Sequence, residues 1–99
     1  MSQNEQQAFE ITGINTYEDA QRGVRVEVLG RTGIRYSDLD ATLEIEYEVS
    51  ATPKSIAVYT NNIQRWDDGS AIDDADRQRV IVDVVRAVEE CVNGRVVLI

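Results

Sequence analysis

Apolar and charged side chains alternate most regularly along residues 41–50. A period of two predicts a β-strand that buries one of its faces. The face predicted to be buried carries Leu43, Ile45, Tyr47 and Val49. The opposite face carries Glu44, Glu46 and Glu48, which we call the glutamate row. A shift of one residue in the strand pairing would bury three carboxylates, so the register of this strand is strongly specified.

Shorter stretches rich in β-forming residues predict further strands at 8–14, 23–30, 34–36, 56–60 and 95–99. The stretch 56–60 is apolar on both faces until Tyr59, which predicts an inner strand covered on both sides. The polar residues 15–22 predict a loop or one helical turn. Because most links between the early strands have hairpin length, we expect an antiparallel sheet.

A helical pattern follows the turn signals of residues 61–69. Its apolar stripe consists of Val80, Ile81, Val84, Val85, Val88, Cys91 and Val92. The side predicted to lie mostly in solvent carries Gln78, Arg79, Asp83, Arg86, Glu89 and Glu90. Asp73 or Asp74 is expected to cap the first turn, and Asn93-Gly94 to end the helix in a left-handed conformation.

These patterns together predict an α+β fold. We expect a mainly antiparallel, curved sheet of about five or six strands, with one long C-terminal helix packed on it and a short final strand. The segment 61–94 is long enough for a crossover that brings strand 95–99 parallel to strand 56–60. Residues 1–7 are predicted to be a disordered polar tail, and residues 8–99 a single domain.

The composition narrows the classes of function. Eighteen acidic residues against ten basic ones give a net charge of −8, which disfavours binding to nucleic acids and anionic membranes. The chain has no histidine, which excludes histidine triads and histidine metal sites, and the single Cys91 excludes an intrachain disulfide. With one cysteine, no export signal and no stretch of about 20 apolar residues, we expect a cytoplasmic protein that does not span a membrane. Because the chain has no histidine and no catalytic or metal-binding motif, we expect a non-enzymatic protein without metal or cofactor.

The glutamate row is the first candidate binding feature. Its three carboxylates lie about 7 Å apart along the strand. Two interpretations remain open from the sequence. The row either binds a cation or the basic surface of a partner, or it is a solvated strand face whose charges pair with Arg25 or Arg35 on a neighbouring strand.

The single tryptophan, Trp66, is the second candidate feature, and Asp67 and Asp68 follow it directly. Trp66 is either a core residue beneath the loop or an anchor for a partner, because tryptophan contributes strongly to interface energies. The spacing of the aspartates from 67 to 76 does not match a calcium-binding loop, and turn and capping roles explain most of them.

A series of short motifs resembles a known family. The motifs are Gly33-Ile34-Arg35-Tyr36 before Glu44-Ile45-Glu46-Tyr47-Glu48, then Ser55-Ile56-Ala57-Val58-Tyr59, Asn62-Ile63, Arg65-Trp66, Ile72-Asp73-Asp74-Ala75-Asp76-Arg77 and Gly94-Arg95-Val96-Val97. Together they resemble the immunity protein 74 family of bacterial polymorphic toxin systems, over roughly residues 23–99. None of them is a catalytic signature, and the resemblance carries no residue-level binding motif.

The resemblance implies a cytoplasmic antidote that binds a cognate, basic toxin domain and blocks it by steric and electrostatic occlusion, without catalysis or a cofactor. An acidic surface suits that role because it attracts basic proteins. The expected contact residues are Glu44, Glu46, Glu48, Trp66, Asp67 and Asp68. The alternative is a small structural or assembly module that self-associates through a sheet edge or a sheet face.

Overall fold

Seven strands and one α-helix form along the described part of the chain. A computed structural model describes residues 8–30, 33–39, 41–49, 55–92 and 94–99. The strands are β1 (Glu10–Gly13), β2 (Thr16–Asp19), β3 (Val24–Leu29), β4 (Gly33–Ser37), β5 (Thr42–Val49), β6 (Ser55–Val58) and β7 (Arg95–Leu98). A short 3-10 helix at Thr60–Asn62 precedes the α-helix α1 (Asp74–Cys91). The predicted tail, residues 1–7, lies outside the described residues.

The seven strands form one sheet in which spatial order follows chain order from β1 to β7. Each neighbouring pair from β1 to β6 is antiparallel, as the short links predict. Strand β7 pairs parallel to β6, with Ile56 opposite Val96, because α1 carries the chain back to the start of β6. The predicted crossover is therefore confirmed. Strand β6 lies between β5 and β7, but Ile56 and Ala57 stay partly exposed, so the prediction that both faces of this strand are covered is wrong.

One face of the sheet packs against α1 and encloses the core. The inward positions of β5 alternate as predicted, with Leu43, Ile45 and Tyr47 buried and the glutamate row exposed. The largest fully buried side chains are Tyr36, Phe9, Ile34, Leu43, Ile45 and Ile63. Burying an aliphatic side chain of this size contributes about 1.5–3 kcal/mol, so the alternation of β5 fixes both its face and its register.

The helix begins and extends as its sequence predicts. The Asp73 carboxylate caps the first turn by accepting a hydrogen bond from the backbone N–H of Asp76 at 2.8 Å. The helix runs for 18 residues, or five turns. It ends at the C-cap residue Val92 in the right-handed region. The predicted left-handed cap rests on Asn93, which lies outside the described residues.

Four other predictions about the fold are wrong in detail. Residues 15–22 contain strand β2 instead of a loop or a helical turn, so the sheet has seven strands. Val49 was expected to be buried but is 60 % exposed, because it lies at the end of β5 beyond the cover of the helix. Asp83 was expected in solvent but is 1 % exposed, because ion pairing compensates for its burial. Val92, at the helix end, is also largely exposed.

Candidate functional site

The sheet face opposite α1, which we call the outer face, carries the glutamate row. Glu44, Glu46 and Glu48 are all exposed, because their neighbours on β5 point into the core. Residues directly opposite one another on neighbouring strands share a face of the sheet. By that register Glu44 lies beside Arg35 of β4, and Glu48 lies beside Ala57 of β6. The row therefore runs along an interior strand of the outer face.

The three carboxylates differ in how far their charge is neutralised. Glu44 forms an ion pair with Arg35, with 3.0 Å between Oε2 and Nη2, and this hydrogen bond raises the pKa of Arg35. Glu46 accepts a hydrogen bond from the side-chain amide of Asn62. Glu48 accepts one from the Tyr59 hydroxyl, which raises the pKa of Tyr59. Since amide and phenol donors are neutral, Glu46 and Glu48 keep their negative charge on the surface.

The rest of the outer face adds to this negative charge. Along β1 to β5 its described carboxylates are Glu10, Glu18, Glu27, Glu44, Glu46 and Glu48. Its guanidinium groups along the same strands are those of Arg25 and Arg35. Arg25 lies 3.8 Å from a carboxylate oxygen of each of two neighbouring glutamates. Six carboxylates against two guanidinium groups leave an acidic surface.

The structure separates Trp66 from the glutamate row. The Trp66 ring lies 6.4 Å from the ring of Tyr36, which is buried on the helix side of the sheet. Trp66 is half-buried and packs against the core, as the first interpretation of its sequence predicts. Asp67 is exposed and lies beside the start of β5, where its backbone N–H donates to the carbonyl of Thr42 at 2.8 Å.

Asp68 has a local structural role. Its carboxylate accepts hydrogen bonds from the backbone N–H and the hydroxyl of Ser70, at 2.8 and 2.6 Å. These bonds lower the pKa of Asp68, because they favour its charged form. They close the exposed turn before the helix, so the structure explains Asp68 without a partner.

Comparison of the chain with protein-family models, with curated proteins and with solved structures finds no match. The resemblance to the immunity protein 74 family therefore stays a hypothesis. The part of the chain that the structure describes contains no cluster of three or more potential metal-ligating side chains. None of its helices has both the length and the apolar character needed to cross a membrane.

A partly buried ionic network on the helix side was not predicted from the sequence. Arg22 donates from Nη2 to the Asp83 carboxylate at 2.6 Å and from Nε to the Asp19 carboxylate at 2.7 Å. The Tyr36 hydroxyl donates to the second Asp83 oxygen at 2.9 Å. Burial would raise the pKa of Asp19, but the hydrogen bonds and charge of Arg22 outweigh it and lower that pKa. Asp83 of α1 therefore joins Arg22, which follows β2, to Tyr36 of β4.

This network borders a cleft of about 510 Å³ between the sheet and the start of α1. Tyr36 and Trp66 line it, and Leu39 stands exposed at its mouth. Arg79 is the second arginine that lines the cleft, and it pairs with Asp38 and Asp76 at 3.2 Å each. Because Arg22 and Arg79 are both engaged by carboxylates of the chain itself, the cleft offers little free charge for a ligand.

Strand β7 forms one edge of the sheet and is unusually apolar for an edge. Val97, Leu98 and Ile99 are each about half exposed, at 47 %, 50 % and 53 %. Natural edge strands are commonly protected by charged side chains or proline. Arg95 is the one charged side chain in β7. Among the described strands, β7 pairs with β6 alone.

Proposed function

We propose that this chain is a non-catalytic binding protein that uses its acidic outer face to capture and occlude a basic protein domain, in the manner of a bacterial immunity protein. The observation that carries the proposal is the exposure of the glutamate row on a sheet face with excess negative charge. The resemblance to the immunity protein 74 family supplies the class of partner, a cytoplasmic toxin domain. Neither catalysis nor a cofactor is part of this proposal.

Within the glutamate row, Glu46 and Glu48 are the favoured partner contacts. Glu44 is already engaged by Arg35, whereas Glu46 and Glu48 have neutral hydrogen-bond partners within the chain. Exposed ion pairs contribute only about 0.2–1 kcal/mol each, so two carboxylates do not explain tight binding by themselves. Their larger effect is on the rate of encounter and on the orientation of the partner.

We assign the anchoring role to Tyr59 instead of Trp66, whose ring packs against the core. The hydroxyl of Tyr59 reaches Glu48, so its ring lies on the outer face beside the row, and it is half-buried. Tyrosine is enriched among the residues that contribute most to interface energies, since it combines apolar area with a polar tip. We therefore assign the fast electrostatic encounter to Glu46 and Glu48 and the slow dissociation to Tyr59.

The test is capture of the partner from a lysate of the organism that encodes the chain, with three forms of tagged protein. These are the wild type, Glu46→Lys with Glu48→Lys, and a control with the same charge change, Asp74→Lys with Glu89→Lys, on the exposed side of α1. We expect the wild type and the control to retain one basic protein, and the outer-face variant to lose it. Circular dichroism melting checks that all three are folded.

Binding kinetics of the captured protein then separate the two roles. At about 50 mM salt, the Glu46 and Glu48 variant should associate at least about tenfold more slowly than the wild type. This difference in rate should shrink toward about 500 mM salt, because association of the variant depends less on salt. Tyr59→Ala should instead speed dissociation. Expression of the chain together with the captured protein should relieve the growth arrest that the captured protein causes when it is expressed alone. The proposal fails if the captured protein is acidic, or if the outer-face variant associates at the wild-type rate.

A further inference from the structure

The exposed backbone of strand β7 follows a strict alternation. The N–H of Ile99 donates to the carbonyl of Val58 at 3.0 Å, and the carbonyl of Ile99 accepts from the N–H of Thr60 at 3.1 Å. In a parallel pair, every second residue directs both backbone groups to the same neighbour. Ile99 and Val97 therefore bond to β6, and Val96 and Leu98 direct their N–H and carbonyl groups to the open edge.

We propose that two copies of the chain associate by antiparallel pairing of their β7 strands, in a register centred on Val97. In this register Val96 of one copy lies opposite Leu98 of the other. Each of these two residues donates its N–H to the carbonyl of the other, which gives two hydrogen bonds. The two-fold symmetry repeats the exchange, which gives four backbone hydrogen bonds. The open groups of β7 are therefore complementary to a second copy of the same strand.

The side chains and charges of the edge also favour a second copy. Val97 would meet its symmetry mate directly on the outer face, where the side chains of a non-hydrogen-bonded pair approach most closely. The half-exposed Leu98 and Ile99 extend the apolar contact on the two faces. The acidic strands β3 to β5 lie away from this edge, so the excess negative charge of the two copies is not brought into contact.

The size of the contact predicts a weak dimer. Pairing of about five residues from each chain buries less area than the 1,200 Å² or so of a stable interface. We expect a dissociation constant of about 10 µM to 1 mM. Each copy carries a net charge of −8, so the dimer should become stronger as salt screens their repulsion. This salt dependence is opposite to that expected for the basic partner.

Two valine substitutions provide a matched test. Val97→Lys places two lysines opposite each other at the centre of the proposed pair. Val82→Lys makes the same change on α1, at a valine of similar exposure (51 % against 47 %). Sedimentation velocity at about 10–500 µM chain should show a rising dimer fraction for the wild type and for Val82→Lys. For Val97→Lys the dissociation constant should rise at least about tenfold, because the two-fold symmetry places a substituted residue on both sides of the contact.

Salt dependence of the wild type provides a second measurement that needs no variant. The dimer fraction should increase from about 50 to 500 mM NaCl. A chain that stays monomeric at 500 µM in high salt would overturn the proposal, as would equal dimerisation of the two lysine variants. These outcomes are independent of partner capture, because Glu46 and Glu48 lie on β5 and not on the paired strand.

Discussion

The carboxylate of Asp83 is 1 % exposed and accepts hydrogen bonds from Arg22 and Tyr36. Asp83→Ala would remove the acceptor and leave both donors in place on the helix side of the sheet. Arg22 would keep its bond to Asp19 but lose its contact with α1. We expect this substitution to destabilise the fold strongly, because it breaks the ionic link between the helix and strands β2 and β4.

The size of the effect follows from what each donor retains. Removing one partner of a fully buried ion pair costs about 3–5 kcal/mol. Arg22 is 41 % exposed and still pairs with Asp19, and Tyr36 also hydrogen-bonds with Arg79. These remaining contacts reduce the loss, so we expect about 2–3 kcal/mol. For a chain of 99 residues this corresponds to a fall in Tm of about 10–20 °C.

Urea denaturation and thermal melting measure the loss, and Asp74→Ala is the matched control. Asp74 lies in the same helix and pairs with Arg77 at 2.6 Å, but its side chain is 94 % exposed. The control should therefore change the free energy of unfolding by less than about 1 kcal/mol. A double-mutant cycle with Arg22→Ala should give a coupling energy of about 1–3 kcal/mol. If Asp83→Ala melts like Asp74→Ala, the network does not contribute as argued.

Two further predictions concern the same side of the molecule. Burial and the hydrogen bond to Asp83 raise the pKa of Tyr36 above its ordinary 10.0. The contribution of the neutral Tyr36 to the free energy of unfolding is complete below pH 10 and is lost as the pH rises further. Urea titrations from about pH 9 to 12 should therefore show that this free energy falls more steeply with pH for the wild type than for Tyr36→Phe. Equal slopes for the two proteins would contradict this expectation. Glu90 accepts hydrogen bonds from the backbone N–H groups of Ala8 and Phe9 at 2.9 and 3.0 Å. Glu90→Ala should therefore speed hydrogen exchange at these amides and cost about 1–3 kcal/mol, whereas Glu89→Ala, at an exposed neighbour, should do neither.

Local periodicity was enough to predict most of the fold. The alternation along β5 sets its face and register because Leu43 and Ile45 must leave water, while a slipped register would bury the glutamate row. The helix and its Asp73 cap were predictable because both signals lie within a few residues. The parallel pairing of β7 followed from the length of the crossover, which leaves few topologies available.

Two of the wrong predictions, for strand β2 and for Asp83, share one physical cause, the burial of a charged residue. Strand β2 alternates inward Tyr17 and Asp19 with outward Glu18, but a carboxylate at an inward position makes the segment resemble a loop. Asp83 was assigned to solvent for the same reason. Its spacing from Val80 and Ala87, three and four residues, does place it on the apolar stripe, and this signal could have revealed it. Its partner, Arg22, lies 61 residues earlier in the chain, which is too far for a local sequence pattern to connect the two residues.

The candidate site was predictable in part for a related reason. The exposure of the glutamate row follows from strand alternation, so Glu44, Glu46 and Glu48 were identified correctly as surface residues. The neutralisation of Glu44 by Arg35 depends on strand register, which the sequence suggests only as one of two pairings. The position of Trp66 depends on how the loop after β6 folds over Tyr36. That packing is long-range, so the sequence could not distinguish a core residue from an anchor.

The two faces of the sheet use charge differently, and this difference supports the proposed division of roles. On the helix side, Arg22 is engaged by Asp19 and Asp83, so its charge stabilises the fold. On the outer face, Glu46 and Glu48 contribute little to folding, because exposed carboxylates with neutral partners gain little from the native state. Reversing their charge should therefore change partner association without lowering Tm by more than a few degrees.

In the proposed β7 dimer, the symmetry axis is perpendicular to the sheet, so the glutamate rows of both copies lie on the same side. A dimer would then present two acidic surfaces together and strengthen binding to any partner that carries two basic sites.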